Sequence, residues 1–399
     1  MVNLVLLEIG LAIGLALLAV DTALWWAALG MLLIAAPLAL GRWRGRWLVL
    51  WVQLTARYLA RSPGPRILKS VSGTGSEPVA ASPPLPSENA ILDSDDPRVA
   101  LLRLVVPDLI VAHGADHQRK PLGLIWHQGM WTAVLQVDAP PSLITPVGGT
   151  PNLPLGALAP CLEDRGVVLD AIQVIWHCYP GNAALPSSSP ALRSYLEVLG
   201  PLPAAARRTT WVAVRLDPRR CLAAVAERGG GVLGAHRALI GALSRVRSAL
   251  ESQGVSTRPL DADQVLRAGI SAAELSAVAG TGQQVALSEG WTAATAAGVG
   301  HASYAISGWP VRGVAPNLTA LTGVRALSTT VALSLSSGAD GAEVGLRGLV
   351  RVSARNRTEL EAADGRLQAV SERLGVALTS LHGLQVAGLA ATLPLGVSG

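Results

Sequence analysis

Tryptophans and arginines alternate just after residue 41, in a pattern that suits contact with a membrane surface or a partner protein. Three tryptophans recur at every fourth position, and a tyrosine continues the same face of a helix. Indole rings favour the headgroup depth of a bilayer, and guanidinium groups bind anionic lipid. We therefore predict a basic, Trp-rich juxtamembrane helix over residues 42–62, and the pattern fits lipid and protein equally well as the contact. The predicted contact residues are Trp43, Trp47, Trp51, Tyr58, Arg42, Arg44 and Arg46.

Two histidines, His113 and His117, have the spacing at which a helix would present both rings to one metal ion. Gly114 lies between them and weakens a helix, and no third ligand lies nearby in the sequence. The pattern therefore predicts no metal site.

Motifs for catalysis and nucleotide binding are absent from the sequence, which contains neither G-x-x-x-x-G-K-[ST] nor G-x-S-x-G. The glycines of residues 229–231 have no following Lys-Ser/Thr and are predicted to end a helix. Asp170 falls in a predicted strand. Asp217 lies beside Arg215 and Arg220, which favours a turn or salt-bridge role over acid catalysis. We therefore predict that the chain is not an enzyme and binds no cofactor.

The three cysteines, Cys161, Cys178 and Cys221, are widely spaced and form no C-x-x-C. An odd number of isolated cysteines is typical of free thiols in a reducing compartment.

The first 41 residues are predicted to form a transmembrane helical hairpin. An apolar run over residues 2–20 is broken only by Glu8, and after Asp21 a second run reaches Leu40. Each run has about the length that crosses a hydrocarbon core of roughly 30 Å, and a closed helix satisfies its own backbone there. A cleaved signal peptide is the alternative, but the run lacks a basic start and an A-x-A site.

Positive charge follows the hairpin rather than preceding it, and this sets the predicted orientation. Short basic flanks are retained in the cytoplasm, so both termini and the region after residue 41 are predicted to be cytoplasmic. The net charge is +5, and much of the basic excess lies between Arg42 and Lys69. We therefore expect no nucleic-acid partner, because a nucleic-acid binder carries its basic stripe within a folded domain.

The cytoplasmic region is predicted to be α+β, with a flexible linker followed by two folded units. Residues 63–98 are rich in Pro, Ser, Gly and Ala and form the linker. The units span residues 99–285 and 286–399. Each is predicted to have a mainly antiparallel sheet covered on one face by a long helix, over residues 233–253 in the first and 357–374 in the second, where Asn356 is the N-cap.

Three stretches together resemble a known family. The first two are residues 153–158, which read LPLGAL, and residues 170–174, which read DAIQV. The most recognisable is residues 207–220, which read RRTTWVAVRLDPRR, with Thr209 where the family usually has an arginine directly before Thr-Trp. With the double span and the basic Trp-rich exit, the chain resembles the EccE component of actinobacterial type VII (ESX) secretion systems from residue 1 to about residue 266.

The resemblance implies a non-catalytic structural subunit of an inner (cytoplasmic) membrane complex. It implies assembly with EccB-, EccC- and EccD-type subunits, of which the EccC type supplies the ATPase. The family offers no catalytic residues to assign here.

Two other functions fit the same sequence. One is a membrane-tethered enzyme whose site has no standard motif. The other is a component of a type IV-like conjugation machine, because strand-helix-strand units also occur in such proteins.

Overall fold

The structure, a computed structural model, divides the chain into two compact units, Met1–Gly64 and Pro65–Gly399. It describes residues 2–20, 25–43, 46–60, 65–68, 96–138, 153–179, 207–281, 283–310, 313–338 and 343–397.

Within the described residues of the first unit there are three helices, α1 (Val2–Val20), α2 (Trp25–Leu40) and α3 (Leu48–Ala60). Apart from Glu8, α1 carries no charged residue, α2 carries none at all, and the two helices contact each other. In the part of the chain that the structure describes, no helix combines the length and the apolar character needed to cross a membrane.

The predicted juxtamembrane helix over residues 42–62 is wrong at its start. Arg42–Trp43 (β1) pairs with Arg46–Trp47 (β2) as a short antiparallel ladder, and the helix begins only at Leu48. Aromatic residues favour paired strands, and this local preference overrides the helical spacing. Trp43 and Trp47 are therefore not on a helix.

The later part of the stripe does lie on α3. Trp51 and Tyr58 are half-buried and share one face of the helix. Gln53 is exposed and lies on the opposite face. Arg44 lies outside the described residues. The contact of these side chains with lipid or protein stays a prediction.

The second unit confirms the α+β class. Its helices are α4 (Pro97–Val105), α5 (Leu222–Glu227), α6 (Gly231–Glu251), α7 (Ala262–Ala272), α8 (Val314–Leu321), α9 (Arg357–Arg373) and α10 (Gln385–Ala391). Its strands before residue 260 are β3 (Arg66–Leu68), β4 (Ile110–Ala115), β5 (Pro121–His127), β6 (Met130–Val137), β7 (Glu163–Asp164), β8 (Val167–Tyr179), β9 (Arg207–Leu216) and β10 (Thr257–Pro259). The later strands are β11 (Val285–Glu289), β12 (Ala294–Ala296), β13 (Val299–Gly308), β14 (Ser328–Ser337), β15 (Val344–Ala354) and β16 (Ala377–Ser380).

The two predicted units share one antiparallel sheet instead of forming separate sheets. The strand order along it is β3-β11-β12-β13-β15-β14-β8-β9-β6-β5-β4. The strands of residues 110–216 make one half, those of residues 285–354 make the other, and β8 pairs with β14 between them. The boundary at residues 285 and 286 therefore separates halves of one sheet.

The two halves have the same connectivity. The first runs β6, β8, β9, α6 and β10, and the second runs β13, β14, β15, α9 and β16, with equivalent pairings. The hairpin turns also repeat: φ is 51° and 84° at Gln128 and Gly129, and 50° and 82° at Ala297 and Gly298. Two positive φ values define the type I′ turn, which matches the twist of antiparallel strands.

Helices cover both faces of the sheet. The predicted long helices, α6 and α9, lie on one face, which we call the back face, and they pack on alternate residues such as Val174 and Val350. The opposite residues, such as Ile175 and Ala332, face α4, α7 and α10 on the front face. This second layer of helices was not predicted.

The predicted linker, residues 63–98, is structured at both ends. Arg66–Leu68 pairs with β11, and α4 starts at Pro97 with the Asp96 side chain accepting a hydrogen bond from the Arg98 N–H. The intervening residues 69–95 lie outside the described part of the chain.

The glycines of residues 229–231 separate α5 from α6, as predicted. All three have positive φ, and Gly230 precedes the first residue of α6. Such backbone is unfavourable for residues with a Cβ, so the glycines let the chain reverse between the two helices.

Buried histidines predict loss of stability in mild acid. Burial lowers the pKa of His177 to about 3 and that of His236 to about 4, and it also lowers the pKa of His301. The unfolded chain protonates these rings below pH about 6.5, whereas the folded chain does not. The free energy of unfolding should therefore fall as the pH drops from 6.5 towards 4, by up to about 1.4 kcal/mol per pH unit for each histidine.

Urea unfolding of the detergent-extracted chain between pH 7.5 and 5 measures this slope. His236 is the best single test, because its ring meets Trp131 edge-on with centroids 4.3 Å apart, and its Nε2 has no partner within the described residues. His236→Phe keeps the ring contact with Trp131 and removes one titrating group. It should lower the pH dependence of the free energy of unfolding by up to about 1.4 kcal/mol per pH unit. An unchanged slope in His236→Phe contradicts the assignment.

Candidate functional site

On the front face, the carboxyl-terminal ends of two helices meet the middle of the sheet. The Ala272 carbonyl at the end of α7 accepts a hydrogen bond from Arg351, and the Ala391 carbonyl at the end of α10 accepts one from Gln173. The last carbonyls of a helix have no partner within it and carry partial negative charge, so donors from the strands stabilise both ends.

Around the end of α7 the polar groups form a cluster that we call the closed cluster. It is centred on Arg351, which is fully buried. Its Nη2 lies 2.5 Å from the Ala272 carbonyl and 3.0 Å from Thr330 Oγ1, and its Nη1 lies 3.1 Å from His301 Nδ1. Burial lowers the pKa of Arg351 to about 10, so the guanidinium is still charged at neutral pH. The helix end and the polar ring around it replace the water that this charge has lost.

Glu274 and His177 complete the closed cluster. Burial raises the pKa of Glu274, against the opposing effects of Ser328 and Arg351. His177 Nε2 lies 4.0 Å from Glu274 Oε1, and His177 Nδ1 lies 2.8 Å from Thr330 Oγ1. At 4.0 Å the two groups are too far apart for a direct hydrogen bond, and their side chains are only 2 % and 9 % exposed. The arrangement joins α7 to β8 and β14.

Around the end of α10 the polar groups instead line an open cleft of about 430 Å³. Arg215 forms an ion pair with Asp170 and donates from Nη1 to the Gly396 carbonyl at 2.8 Å. Arg220 Nη1 lies 3.7 Å from the other Asp170 oxygen. Arg347 lines the same cleft from β15 and is exposed.

The cleft has an excess of positive charge and one buried acceptor. Three arginines face one aspartate, and the side chain of Arg347 has no ion pair or hydrogen bond with any residue that the structure describes. Gln173 is 5 % exposed, and its Nε2 donates to Ala391 at 2.7 Å, whereas its Oε1 has no partner within the described residues. These groups suit a ligand that has a carboxylate and a hydrogen-bond donor.

The strand that supplies Arg215 lies in a segment that matches a known protein family. Residues 204–306, which begin just before β9 and end within β13, match the family described as "Putative type VII ESX secretion system translocon, EccE". Residues 204–306 are therefore similar to the EccE family. The resemblance predicted from residues 207–220 is confirmed, because that block lies inside the matched segment.

The chain also resembles proteins named as components of mycobacterial ESX systems. The ESX-5 secretion system protein EccE5 of Mycobacterium marinum is 28% identical over 163 residues, which are 38% of this chain and 40% of the relative. The ESX-1 secretion system protein EccE1 of Mycobacterium tuberculosis is 26% identical over 240 residues, 59% of this chain and 43% of the relative. EccE1 of Mycolicibacterium smegmatis is 38% identical over 80 residues, 20% of this chain and 17% of the relative. The matches therefore span less than half the length of each of these relatives.

His113, His117 and Asp217 do not line the cleft, whereas Asp170 does. His113 is in β4 and His117 is in the turn after it, so the two do not share a helix face. No group of three metal-ligating side chains occurs among the residues searched. Asp217 accepts a hydrogen bond from the Arg219 N–H and pairs with Arg219, which confirms its turn and salt-bridge role.

The cysteines are free and buried, as predicted for thiols. Burial raises the pKa of each of them, which keeps them protonated and unreactive at neutral pH.

Gln173 and Arg347 were missed by sequence reasoning. Both are polar residues at positions of predicted strands that alternate with apolar ones, which is typical of a solvent-facing strand. Their shared cleft depends on the pairing of β8 with β14, which brings Gln173 opposite Ser334, and of β14 with β15, which brings Ser334 opposite Arg347.

Loss of the buried guanidinium should destabilise the second unit. Arg351→Met has a similar length but leaves the Ala272 carbonyl and the Thr330 hydroxyl without their charged donor. We expect the free energy of unfolding to fall by about 3 kcal/mol. Urea unfolding at pH 7.5 measures the change, and Arg373→Met, at an exposed position in the last turn of α9, should stay within about 0.5 kcal/mol of the parent. Equal stability of the two variants would show that the closed cluster does not depend on its charge.

Proposed function

We propose that the chain is a non-catalytic structural subunit of a type VII (ESX) secretion complex in the inner membrane. In this proposal it stabilises the assembly of EccB-, EccC- and EccD-type subunits. The observation that carries the proposal is the EccE match over residues 204–306, within the second unit. The same match favours secretion over the membrane-tethered enzyme and the type IV-like conjugation component.

The N-terminal unit supports attachment to a membrane. Its helices α1 and α2 consist almost entirely of apolar residues and contact each other, and arginines follow α2 directly. In the proposal these helices form a hairpin in the lipid, both termini are cytoplasmic, and α3 lies at the membrane surface.

The second unit supports a structural role in a different way. The polar groups of the closed cluster join helix ends to strands, and the open cleft offers charge and hydrogen bonding to a neighbour. An acidic surface of another subunit would be attracted to such a cleft.

Extraction in mild detergent from cells that express the whole secretion locus tests the proposal. Size-exclusion chromatography of the tagged chain should place it in a large membrane assembly, and mass spectrometry should find EccB-, EccC- and EccD-type subunits in the same fractions. Elution of the chain only as a free monomer, under conditions that keep the other subunits together, would overturn it.

The α3 face provides a mutational test of the proposed attachment. Trp51→Ala combined with Tyr58→Ala removes two half-buried aromatic rings from this face. We expect membrane retention or recovery in the assembly to fall about tenfold, because aromatic residues dominate both interfacial anchoring and subunit contacts.

Gln53→Ala on the exposed side of α3 is the control and should change neither quantity. Quantitative blotting of membrane and complex fractions gives both readouts. Identical recovery of the double variant and the parent contradicts the assignment of this face.

A further inference from the structure

The open cleft has the features of a site for one kind of ligand. Its cationic groups are Arg215 on β9, Arg347 on β15 and Arg220, which lies just beyond β9. Strands β8 and β14 lie between β9 and β15 in the sheet. Arg215 is held by Asp170 and Gly396, which leaves Arg347 and Arg220 as the groups that can reach outward. Both can donate two parallel hydrogen bonds to a carboxylate.

The buried acceptor narrows the chemistry. Gln173 Nε2 is fixed by the Ala391 carbonyl, so Oε1 is the atom left without a partner, in a side chain that is 5 % exposed and lines the cleft. A buried acceptor without a donor destabilises the fold, and a ligand that supplies an N–H would satisfy it. A peptide backbone supplies such an N–H next to an acidic side chain.

The surroundings argue against a phosphate ligand. Phosphate sites usually use backbone N–H groups at a helix N-terminus, where the helix dipole is positive. The helix that ends at this cleft is α10. The Ala391 carbonyl at its end and the Gly396 carbonyl in the following segment both accept hydrogen bonds from side chains that line the cleft. Their partial negative charge, together with Asp170, disfavours a dianion more than a single carboxylate.

The rest of the lining combines the serines Ser334, Ser336 and Ser337 with apolar side chains that suit an aliphatic group of a ligand. Met130, Leu349 and Val397 lie around the charged groups. We propose that the cleft binds an acidic peptide segment of a neighbouring subunit, with a carboxylate on Arg347 and Arg220, a backbone N–H on Gln173 and an apolar side chain against Leu349. This inference rests on the proposed role as a subunit of a larger complex.

Photo-crosslinking in membranes that contain the whole complex tests the proposal. Met130→p-benzoylphenylalanine places the probe at the cleft, and Leu346→p-benzoylphenylalanine places it on the back face of β15, at an exposed position. The first probe should crosslink a neighbouring subunit at a segment that contains Asp or Glu, identified by mass spectrometry of the linked peptide. The second should not give that product.

Charge reversal is the matched test of chemistry. Arg347→Glu, introduced with the probe at position 130, should lower the yield of the product about tenfold. Arg373→Glu removes the same charge from an exposed position on α9 and should leave the yield unchanged. No product at position 130, a linked segment without an acidic residue, or a yield unaffected by Arg347→Glu would each overturn the proposal.

A separate measurement distinguishes a small anion. If inorganic phosphate raises the melting temperature of the purified chain, and Arg347→Glu removes that rise while Arg373→Glu does not, the cleft is a phosphate site and the peptide proposal is wrong. Intact recovery of the assembly without a product at position 130 would refute the cleft inference alone. Failure of the chain to enter any assembly would refute the proposed function itself.

Discussion

The pairing of β8 with β14 is the constraint on which the rest of the second unit depends. Seven residue pairs, from Ile172–Leu335 to Cys178–Thr329, join strands that lie more than 150 residues apart in the chain. On the front face this pairing brings the polar residues of both halves together, so the closed cluster and the open cleft both lie beside it. On the back face it brings apolar residues of both halves into one core under α6 and α9. A change in this register by one residue would exchange the two faces, with polar groups in the core.

The two helix ends on the front face are stabilised by side chains of the sheet, but with different surroundings. At α7 the fold itself supplies the donor, because Arg351 reaches the Ala272 carbonyl and is enclosed there. At α10 the donor to the helix end is Gln173, Arg215 donates to the Gly396 carbonyl in the segment that follows, and space is left beside both side chains. The first arrangement stabilises the fold through a buried charge, whereas the second leaves charge accessible. Residues of both halves therefore form a structural site at the end of α7 and a candidate binding site at the end of α10.

Local patterns were sufficient to predict the back-face helices. Leu239 and Leu243 repeat at helical spacing in α6, and Asn356 caps α9 as expected. The front-face helices were missed, although Asp261 and Gln264 form a capping box at the start of α7 that the sequence contains. Strand pairing across distant segments has no such local signal, so the single sheet and the cleft could not be predicted. The helix predicted from the spacing of the tryptophans was wrong at its start because a local pattern was present but misleading. Trp43 and Trp47 are four residues apart and belong to paired strands.

The shared connectivity of the two halves has a consequence for how such a chain can arise and be divided. Equivalent strand orders and equivalent type I′ turns are what duplication and fusion of one ancestral segment would produce. In the fused chain, each half supplies the partner for a strand of the other, β8 in the first half and β14 in the second. Separated halves would each expose that strand as a bare edge, open to pairing with any copy of itself. The covalent link between the halves thus acts as a safeguard against self-association, by keeping the proper partner always at hand.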